Sequence, residues 1–251
     1  MNFTQSATSR FGLIIIGDEL LFGSRNDQHL AHFRSLLRAH GKQLIRSWIL
    51  PDEELSLTRH LSFSMAAQHP VFVCGGIGAT PDDLTRSCAA QASGVTLERH
   101  SEAKHLIEDQ FGEAAYPTRI KMADLPMGCD LIPNPHNQIP GFSINRHYFL
   151  PGFPEMAWPM AEWVLKHYYS GAKCKFQEKS LLVLNTPESS LVPLMDDMNL
   201  HLSDLKLFSL PKFGSQGTIE LGLRGSGDID SAFKLLQKSL AEYEIPFQMI
   251  E

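Results

Sequence analysis

Short apolar runs and helical stripes of apolar residues take turns along the first two-thirds of the chain. Phe11–Gly17 and Val71–Cys74 are unbroken apolar runs, a pattern typical of strands buried on both faces of a parallel sheet. Between them, Asn26–His40 has apolar residues at helical spacing, and Gly41 supplies a stop. The same patterns predict further strands at Leu44–Leu50, Cys129–Pro133 and Ile144–Leu150, and further helices from Pro51 onward, at Asp82–Ala92, Glu102–Phe111 and Glu155–Tyr168. Strands that alternate with helices in this way predict an α/β fold with three layers around a mostly parallel sheet.

The pattern changes after about Gly171. The remaining elements are predicted as strand, helix, strand, strand, helix and strand, at Phe176–Asn185, Glu188–Asn199, Leu205–Leu210, Thr218–Leu223, Asp228–Ala241 and Pro246–Ile250. This order is that of the ferredoxin-like α+β fold. We therefore expect two domains, residues 1–170 and a smaller α+β domain of residues 171–251.

Composition and charge limit the kinds of partner. The chain has 251 residues, with 22 Lys and Arg against 28 Asp and Glu, a net charge of −6. Because nucleic-acid-binding domains normally have a basic face, no nucleic-acid partner is expected. No apolar run is long enough to span a bilayer, and the first ten residues lack the pattern of a secretion signal, so no membrane partner is expected. The cysteines Cys74, Cys88, Cys129 and Cys174 form no CxxC pair, which favours reduced thiols in a cytoplasmic protein.

The glycine-rich segment Gly75–Thr85 carries the sharpest functional signal. It has the sequence GGIGATPDDLT, follows a predicted buried strand and leads into a predicted helix. Glycines allow positive φ and a close approach of the backbone to a ligand. Helix N-termini bind phosphate through their N–H groups, and Thr80 and Pro81 suit the N-cap and the first position of the predicted helix. The alternative is a capped turn that binds no ligand.

Acidic residues follow three of the predicted strands. Asp18 and Glu19 come after the first strand, Asp52 comes after the second, and Asp82 and Asp83 lie in the glycine-rich segment. Ligands of open α/β sheets bind beyond the carboxyl ends of the strands, so we expect these side chains along one edge of the sheet. Carboxylates beside a phosphate repel it unless a divalent cation lies between them, and Mg²⁺ prefers such oxygen ligands. Helix capping by one of these acids is an equal alternative.

Other polar residues give weaker signals. The loops Asn134–Gly141 and Leu150–Glu155 carry side chains that could hydrogen-bond a heterocycle, although ordinary turn formation also explains them. His29 and His32 share a face of a predicted helix without a third metal ligand, so both are expected on the surface. The sequence has no Ser-His-Asp order and no Walker-type G-K-[ST] motif, which argues against hydrolases of those classes. No haem, flavin or zinc is expected.

Five segments together resemble a known family. Taken in order, GDELLFG, the turn at Pro51–Glu53, GGIGATPDDLT, NPHNQIPGF and LPGFPEM resemble the N-terminal domain of CinA-type (competence/damage-inducible protein A) proteins. More distantly, they resemble the molybdopterin-processing MoaB, Mog and gephyrin domains, so the resemblance implies a MoaB/Mog-like molybdopterin-binding domain. Residues 176–251 resemble the small second domain of CinA-type proteins. The nicotinamide-mononucleotide deamidase domain of full-length CinA has no counterpart in the chain, and no deamidase activity is expected.

The resemblance implies roles for individual residues. The residues implied in catalysis are Asp18, Glu19, Asp52 and Asp83, and those implied in Mg²⁺ binding are Asp52 and Asp83. Asp82 is a further expected Mg²⁺ ligand because it is paired with Asp83 beside the predicted phosphate site. The residues implied in ligand binding are Gly75, Gly76, Gly78, Thr80 and Lys121. The polar loop Asn134–Gly141 adds Asn134 and Gly141 to the expected ligand-binding residues. Three segments depart from the family pattern: Gly78-Ala79-Thr80 replaces Gly-Pro-Thr, Asp27-Gln28-His29 replaces Asp-Thr-Asn, and the Asn134–Gly141 loop lacks the first of the two glycines in the family's Asn-Pro-x-Gly-Thr/Ser-Ala-Pro-Gly.

Three functions fit this resemblance. The first is Mg²⁺-dependent hydrolysis of a pyrophosphate such as that of ADP-ribose, an activity associated with CinA-type N-terminal domains. The second is molybdopterin binding or adenylyl transfer in molybdenum cofactor biosynthesis, and the third is a non-catalytic sensor or scaffold. The resemblance implies a small phosphorylated ligand, either a pterin or a nucleotide, and a homo-oligomer.

Overall fold

The chain folds into two compact units, residues 1–173 and residues 174–251. The structure is a computed structural model that describes residues 9–171, 176–212 and 217–250. The strands of the first unit are β1 (Arg10–Ile16), β2 (Gln43–Leu50), β3 (Val71–Cys74), β4 (Leu97–Arg99), β5 (Asp124–Pro126), β6 (Asp130–Ile132), β7 (Gly141–Ile144) and β8 (His147–Leu150). Its α-helices are α1 (Asp18–Leu21), α2 (His29–Ala39), α3 (Glu54–Ala66), α4 (Thr85–Ser93), α5 (Ser101–Phe111) and α6 (Pro154–Tyr168). Two short 3₁₀ helices, Gly112–Ala115 and Arg119–Ala123, precede β5.

Six strands of the first unit form one sheet, in the order β2-β1-β3-β8-β7-β6. The pairs β1/β2, β1/β3 and β3/β8 are parallel, and β7 is antiparallel to both of its neighbours. The carboxyl ends of β1, β2 and β3 therefore meet at the same edge. The segments that follow these strands begin with Gly17, Pro51 and Gly75.

The two faces of this sheet carry separate cores. Because side chains alternate along a strand, Ile14 and Val73 enter one core while Leu13 and Phe72 enter the other. The first core includes buried residues of α3, α4 and α5, and the second includes buried residues of α2 and α6. Each fully buried large side chain contributes about 1.5–3 kcal/mol through the hydrophobic effect. The predicted three-layer α/β fold is thereby confirmed.

Two local features of the first unit differ from the sequence prediction. The predicted strand Ile144–Leu150 is a hairpin of β7 and β8, and its turn residues Asn145 and Arg146 have φ of 49° and 61°. The pattern of apolar residues did not reveal this turn because only two residues separate Ile144 from His147, and the residues on both sides are compatible with one continuous strand. The small antiparallel pair β4/β5 was also not predicted, since each of its strands is only three residues long.

The second unit has the predicted order of elements. They are β9 (Gln177–Val183), α7 (Val192–His201), β10 (Leu205–Pro211), β11 (Ile219–Gly225), α8 (Ile229–Glu242) and β12 (Phe247–Met249). The four strands form an antiparallel sheet in the order β10-β11-β9-β12. Buried residues of both helices pack on this sheet in a single core. The smaller ferredoxin-like α+β fold is therefore present.

The cysteines and the lengths of the helices bear on two further sequence predictions. Cys74, Cys88 and Cys129 are buried free thiols, and Cys174 lies outside the described residues. Within residues 9–171, 176–212 and 217–250, each helix is too short or too polar to cross a membrane.

Candidate functional site

Two aspartates meet where β1 and β2 end. Ile16 and Leu50 are paired in the sheet, and the Gly17 N–H donates to the Leu50 carbonyl at 3.1 Å. Just beyond these ends, the Asp18 N–H donates to Asp52 Oδ2 at 3.2 Å, and the Asp52 N–H donates to Asp18 Oδ1 at 3.3 Å. Each carboxylate therefore ties down the backbone of the other turn. The parallel register brings together two acids that are 34 residues apart in the sequence.

Negative charge accumulates around Asp52. Burial raises the pKa of the Asp52 carboxyl, and the nearby carboxylates of Asp18, Glu19 and Asp82 raise it further. The hydrogen bond from the Asp18 N–H opposes these effects by lowering the same pKa. Four acidic side chains from the ends of three strands are thus close enough to interact.

The glycine-rich loop lies beside this acidic cluster. Gly76 has a φ of 67°, and an added Cβ would overlap the Thr85 hydroxyl and lie 3.5 Å from Asp52 Oδ1. The Thr85 hydroxyl and N–H donate to the carbonyls of Gly75 and Gly76, each at 3.0 Å, while the Gly75 N–H donates to Leu150 at 3.0 Å. The start of α4 and the end of β8 therefore hold the loop against the acids. Only glycine fits at position 76.

Asp83 folds back onto the loop. Its carboxylate accepts hydrogen bonds from the Gly78 N–H at 2.8 Å, the Thr80 N–H at 2.8 Å and the Thr80 hydroxyl at 2.5 Å. The prediction that Thr80 caps α4 and that Pro81 opens it is wrong, because these bonds close a turn and α4 begins only at Thr85. In this arrangement Asp83 stabilises the loop from within. Its predicted role as a metal ligand remains a prediction.

Arg86 is a residue of the site region that the sequence reasoning missed. Its side chain is 8% exposed; Nη2 donates to the Gly78 carbonyl at 2.7 Å, and Nη1 donates to the carbonyls of Lys121 and Asp124. The guanidinium group therefore joins the glycine-rich loop to the segment that leads into β5. The sequence signal that could have identified Arg86 is its position among the small side chains of the buried face of α4, such as Cys88 and Ala89.

Three other predicted ligand-binding residues have structural contacts. Lys121 lies in a 3₁₀ helix with its side chain exposed, and only its carbonyl is tied to the loop, through Arg86. The Asn134 side chain donates to Asn137 Oδ1 at 2.7 Å and accepts from the His136 N–H at 3.0 Å, so it organises its own turn. Gly141 begins β7, and an added Cβ there would overlap the Phe149 carbonyl. The contacts of these three residues do not test their ligand-binding roles.

A cavity of about 100 Å³ opens at the ends of β1 and β3. Glu19, Arg25 and His29 are among the residues that line it. The expectation that His29 lies on the surface is wrong, because its side chain is only 5% exposed and Nε2 lies 2.9 Å from the Gly152 carbonyl. The first turn of α2 thus faces inward towards the loop that follows β8.

Among the described residues, there is no group of three or more His, Cys, Asp and Glu side chains arranged to hold a metal ion by itself. The carboxylates of Asp18 and Asp52 are adjacent, but the remaining ligands of a bound cation would have to be water or ligand oxygens. This is the usual situation for Mg²⁺, which keeps several waters and shares the phosphates of its substrate.

Comparisons with known proteins agree with the fold. Residues 12–170 match the family described as a probable molybdopterin binding domain. A CinA-like protein of Geobacter sp. (strain M21) is 32% identical over 225 residues, which are 86% of this chain and 54% of that protein. A CinA-like protein of Citrifermentans bemidjiense is 32% identical over 212 residues, which are 81% of this chain and 51% of that protein. The chain therefore spans about half the length of these two relatives.

A solved structure is similar as well. The crystal structure of CinA from Thermoplasma acidophilum, described as a protein of unknown function, matches with a TM-score of 0.60 and 27% sequence identity. The match covers 65% of this chain and 99% of that one. Since the family match covers more than half of the chain and contains the glycine-rich loop and all the strand-end acids, the chain belongs to the family of probable molybdopterin-binding domains.

Proposed function

We propose that the edge of the sheet beyond β1, β2 and β3 binds a small phosphorylated ligand, a pterin or a nucleotide, and hydrolyses a pyrophosphate linkage of the ADP-ribose type with Mg²⁺. The observation that carries this proposal is the reciprocal contact of Asp18 and Asp52 beside Gly76. Carboxylates from two strand ends and a glycine-rich turn from a third are the parts that metal-assisted phosphoryl chemistry needs.

The charge around Asp52 supports binding of a divalent cation. Asp18, Glu19 and Asp82 all raise the pKa of Asp52, which means that each disfavours its ionised form. A cation beside these carboxylates would relieve the repulsion, so the residues fit Mg²⁺, with Asp18 and Asp52 as the pair to hold it. When bound, Mg²⁺ would polarise phosphate oxygens and neutralise part of their charge.

The protein's own groups then bind and orient the ligand. Arg25 lines the cavity beside Glu19, and its guanidinium group offers a permanent positive charge for a phosphate. The N–H groups of Gly78 and Thr80 already donate to Asp83, so a phosphate would approach the backbone of the glycine-rich loop at the N–H groups that Asp83 does not occupy. A carboxylate of the cluster that is not engaged by the cation can accept a proton from an attacking water, and Glu19 is such a candidate.

The test is hydrolysis of ADP-ribose with and without Mg²⁺. The wild-type protein is expected to need Mg²⁺, and Asp52→Asn to lose roughly 10²-fold or more in kcat/KM, because asparagine keeps the hydrogen bond to Asp18 but removes the charge. Asp109→Asn is the matched control, since Asp109 is an exposed carboxylate of α5. Turnover that does not depend on Mg²⁺, or equal loss in both variants, would reject the hydrolytic part of the proposal.

The family match favours a second candidate, molybdopterin binding or adenylyl transfer at the same site. It predicts saturable molybdopterin binding that Asp52→Asn weakens. Where transfer occurs, the molybdopterin phosphate would attack the α-phosphorus of ATP, take up AMP and release pyrophosphate. Nucleotide binding without any affinity for molybdopterin would exclude it. If both ligands bind and neither reacts, the third function, a non-catalytic sensor, becomes the better description.

A further inference from the structure

The cavity at the ends of β1 and β3 shares one residue, Glu19, with the acidic cluster around Asp52. Its walls include Ile16, Cys74 and Phe153, which are apolar, together with the polar residues Glu19 and His29. Glu19 belongs to both places, because it lines the cavity and its charge raises the pKa of Asp52. A ligand whose phosphates lie at the acidic cluster therefore has a neighbouring space for its remaining part.

The loop after β8 closes the cavity next to the glycine-rich loop. Gly152 lines the cavity, and an added Cβ at Gly152 would lie 3.5 Å from the Gly75 Cα. The Gly152 carbonyl also lies 2.9 Å from His29 Nε2. Gly152 therefore lies between His29 and the glycine-rich loop, which is proposed to bind phosphate.

His29 is held in a defined orientation. The Asp27 carboxylate accepts hydrogen bonds from the backbone N–H groups of His29 at 2.8 Å and Leu30 at 3.0 Å, which fixes the first turn of α2. Because a carbonyl oxygen only accepts hydrogen bonds, His29 Nε2 must carry the proton that points to Gly152. In the neutral ring Nδ1 is then an acceptor.

The acceptor of His29 has no partner. Nδ1 is buried, and it makes no hydrogen bond with the described residues. Leaving a buried polar atom unpaired costs about 1–3 kcal/mol, and such exceptions in folded proteins call for an explanation. A ligand group that donates to Nδ1 would recover this energy.

We propose that the cavity is the subsite for a single ring of the ligand, and that His29 Nδ1 accepts a hydrogen bond from an N–H or O–H group of that ring. This inference rests on the proposed binding of a phosphorylated pterin or nucleotide. A volume of about 100 Å³ is somewhat smaller than the roughly 150 Å³ apolar cavity that holds benzene in an engineered protein, so the cavity suits one small ring. Phe153, which is 56% exposed, offers an apolar face to a planar ring at the cavity.

His29 is then a specificity-determining residue. A site whose polar groups pair with a ligand donor discriminates against ligands that lack the donor, because the site atom is otherwise left unpaired. Ligands with a ring next to the pyrophosphate gain from this cavity, whereas inorganic pyrophosphate gains nothing.

The experiment measures, by calorimetry with Mg²⁺, the affinities of ADP-ribose and pyrophosphate, each with a methylene group in place of the bridging oxygen of the diphosphate so that the proposed hydrolysis cannot cleave it. His29→Gln places an amide where Nε2 was and can keep the bond to Gly152, but it removes the acceptor at Nδ1. We expect the ratio of ADP-ribose affinity to pyrophosphate affinity to fall about tenfold in this variant, the effect of one lost hydrogen bond. His29→Asn keeps a polar atom near the position of Nδ1 and is expected to retain more of the ratio.

The control is His32→Gln, one turn further along α2, where the ring stacks on Trp158 at 3.9 Å and lies outside the cavity. It should leave the ratio unchanged. An equal ratio in the wild-type and His29→Gln proteins would overturn the inference while leaving phosphate binding intact. A wild-type protein that binds neither compound would overturn the proposed function, and the inference with it.

A second measurement needs no variant. With ¹⁵N-labelled histidine in the wild-type protein, ADP-ribose is expected to shift the Nδ1 resonance of His29 because the nitrogen acquires a donor, and pyrophosphate is not. Identical responses to the two compounds, or no response to either, would contradict the proposed hydrogen bond.

Discussion

Single residues at the site combine structural and functional constraints. Asp52 illustrates this, because its backbone and carboxylate both bond to Asp18 while its charge is disfavoured by three neighbouring acids. Asp83 illustrates the reverse, since all its observed bonds serve the glycine-rich loop. The acidic character of the site was predictable from the sequence because Asp18, Glu19 and Asp52 come just after the ends of two strands. The different contacts of Asp52 and Asp83 were not predictable, since they depend on which backbone N–H groups lie within hydrogen-bonding distance of each carboxylate.

A pair of glycine substitutions separates backbone strain from crowding at the site. Gly76 and Gly94 have nearly the same φ, 67° and 68°, so alanine is strained at both positions. An added Cβ meets no atom within 4 Å at Gly94, but it overlaps the Thr85 hydroxyl at Gly76. We expect Gly94→Ala to lower the free energy of unfolding by about 1 kcal/mol, and Gly76→Ala to lower it by at least twice as much and to abolish ligand binding.

Chemical denaturation of the two variants, with ligand titration, checks this prediction. Equal losses of stability in the two variants would show that the Thr85 side chain moves aside at little energetic cost and that the loop is not closely packed at Gly76. Undiminished ligand affinity in Gly76→Ala would remove this part of the loop from the site.

At the scale of elements, α4 is joined to its surroundings by Arg86. The guanidinium group has donors to the carbonyls of Gly78, Lys121 and Asp124, and its burial lowers its pKa whereas the nearby Asp83 raises it. A planar group with several N–H donors can serve carbonyls on two sides, which a single ammonium cannot do in the same positions. The orientation of the glycine-rich loop relative to the β4/β5 pair therefore depends on arginine.

Arg86→Lys is expected to lower the free energy of unfolding by roughly 1–3 kcal/mol, because buried carbonyls lose their donor. Arg99→Lys is the matched control, since Arg99 also interacts with Asp124 but is 39% exposed. That surface pair contributes about 1 kcal/mol at most. Thermal or chemical denaturation measures both values, and a loss in Arg86→Lys no larger than in Arg99→Lys would contradict the structural role.

The elements themselves were largely predictable from the sequence. β1 and β3 are unbroken apolar runs that lie in the middle of the sheet, where both faces are covered. The start of α4 was misplaced because Asp83 bonds to Gly78 and Thr80, a tertiary contact that local preferences do not reveal. Arg86 was overlooked because an arginine on a helix is usually exposed, and only the fold shows which carbonyls surround it.

At the scale of the whole molecule, the three-layer fold removes the His147 side chain completely from the surface. His147 of β8 is fully buried, with Nε2 2.7 Å from the Ser64 hydroxyl and Nδ1 3.0 Å from the Asn145 carbonyl. Burial lowers the pKa of His147 to about 4, against a smaller opposing effect of the Asn145 carbonyl. The folded state therefore keeps this ring neutral over a range in which the unfolded chain binds a proton.

The free energy of unfolding is expected to decrease as the pH is lowered, because of this buried ring. A histidine in the unfolded chain has its ordinary pKa of 6.5, so the contribution of a neutral His147 to stability is fully present above that pH. Between pH 6.5 and about 4 this contribution is lost as the pH falls, by at most about 3 kcal/mol in total. Denaturation curves across this range for the wild-type protein and His147→Gln check it: the difference between them should shrink as the pH falls, and a constant difference would contradict it.

The proposed function depends above all on Asp18 and Asp52 acting together on one bound ligand. The most direct measurement is a double-mutant cycle of Asp18→Asn and Asp52→Asn, with the Kd of the non-hydrolysable α,β-methylene analogue of ADP-ribose in the presence of Mg²⁺ as the readout. We expect each single variant to raise the Kd about tenfold or more. The double variant should raise the Kd by less than the product of the two single increases, which corresponds to an interaction energy of roughly 1 kcal/mol or more between the two aspartates. Multiplicative effects, or a Kd that neither substitution changes, would contradict a shared site.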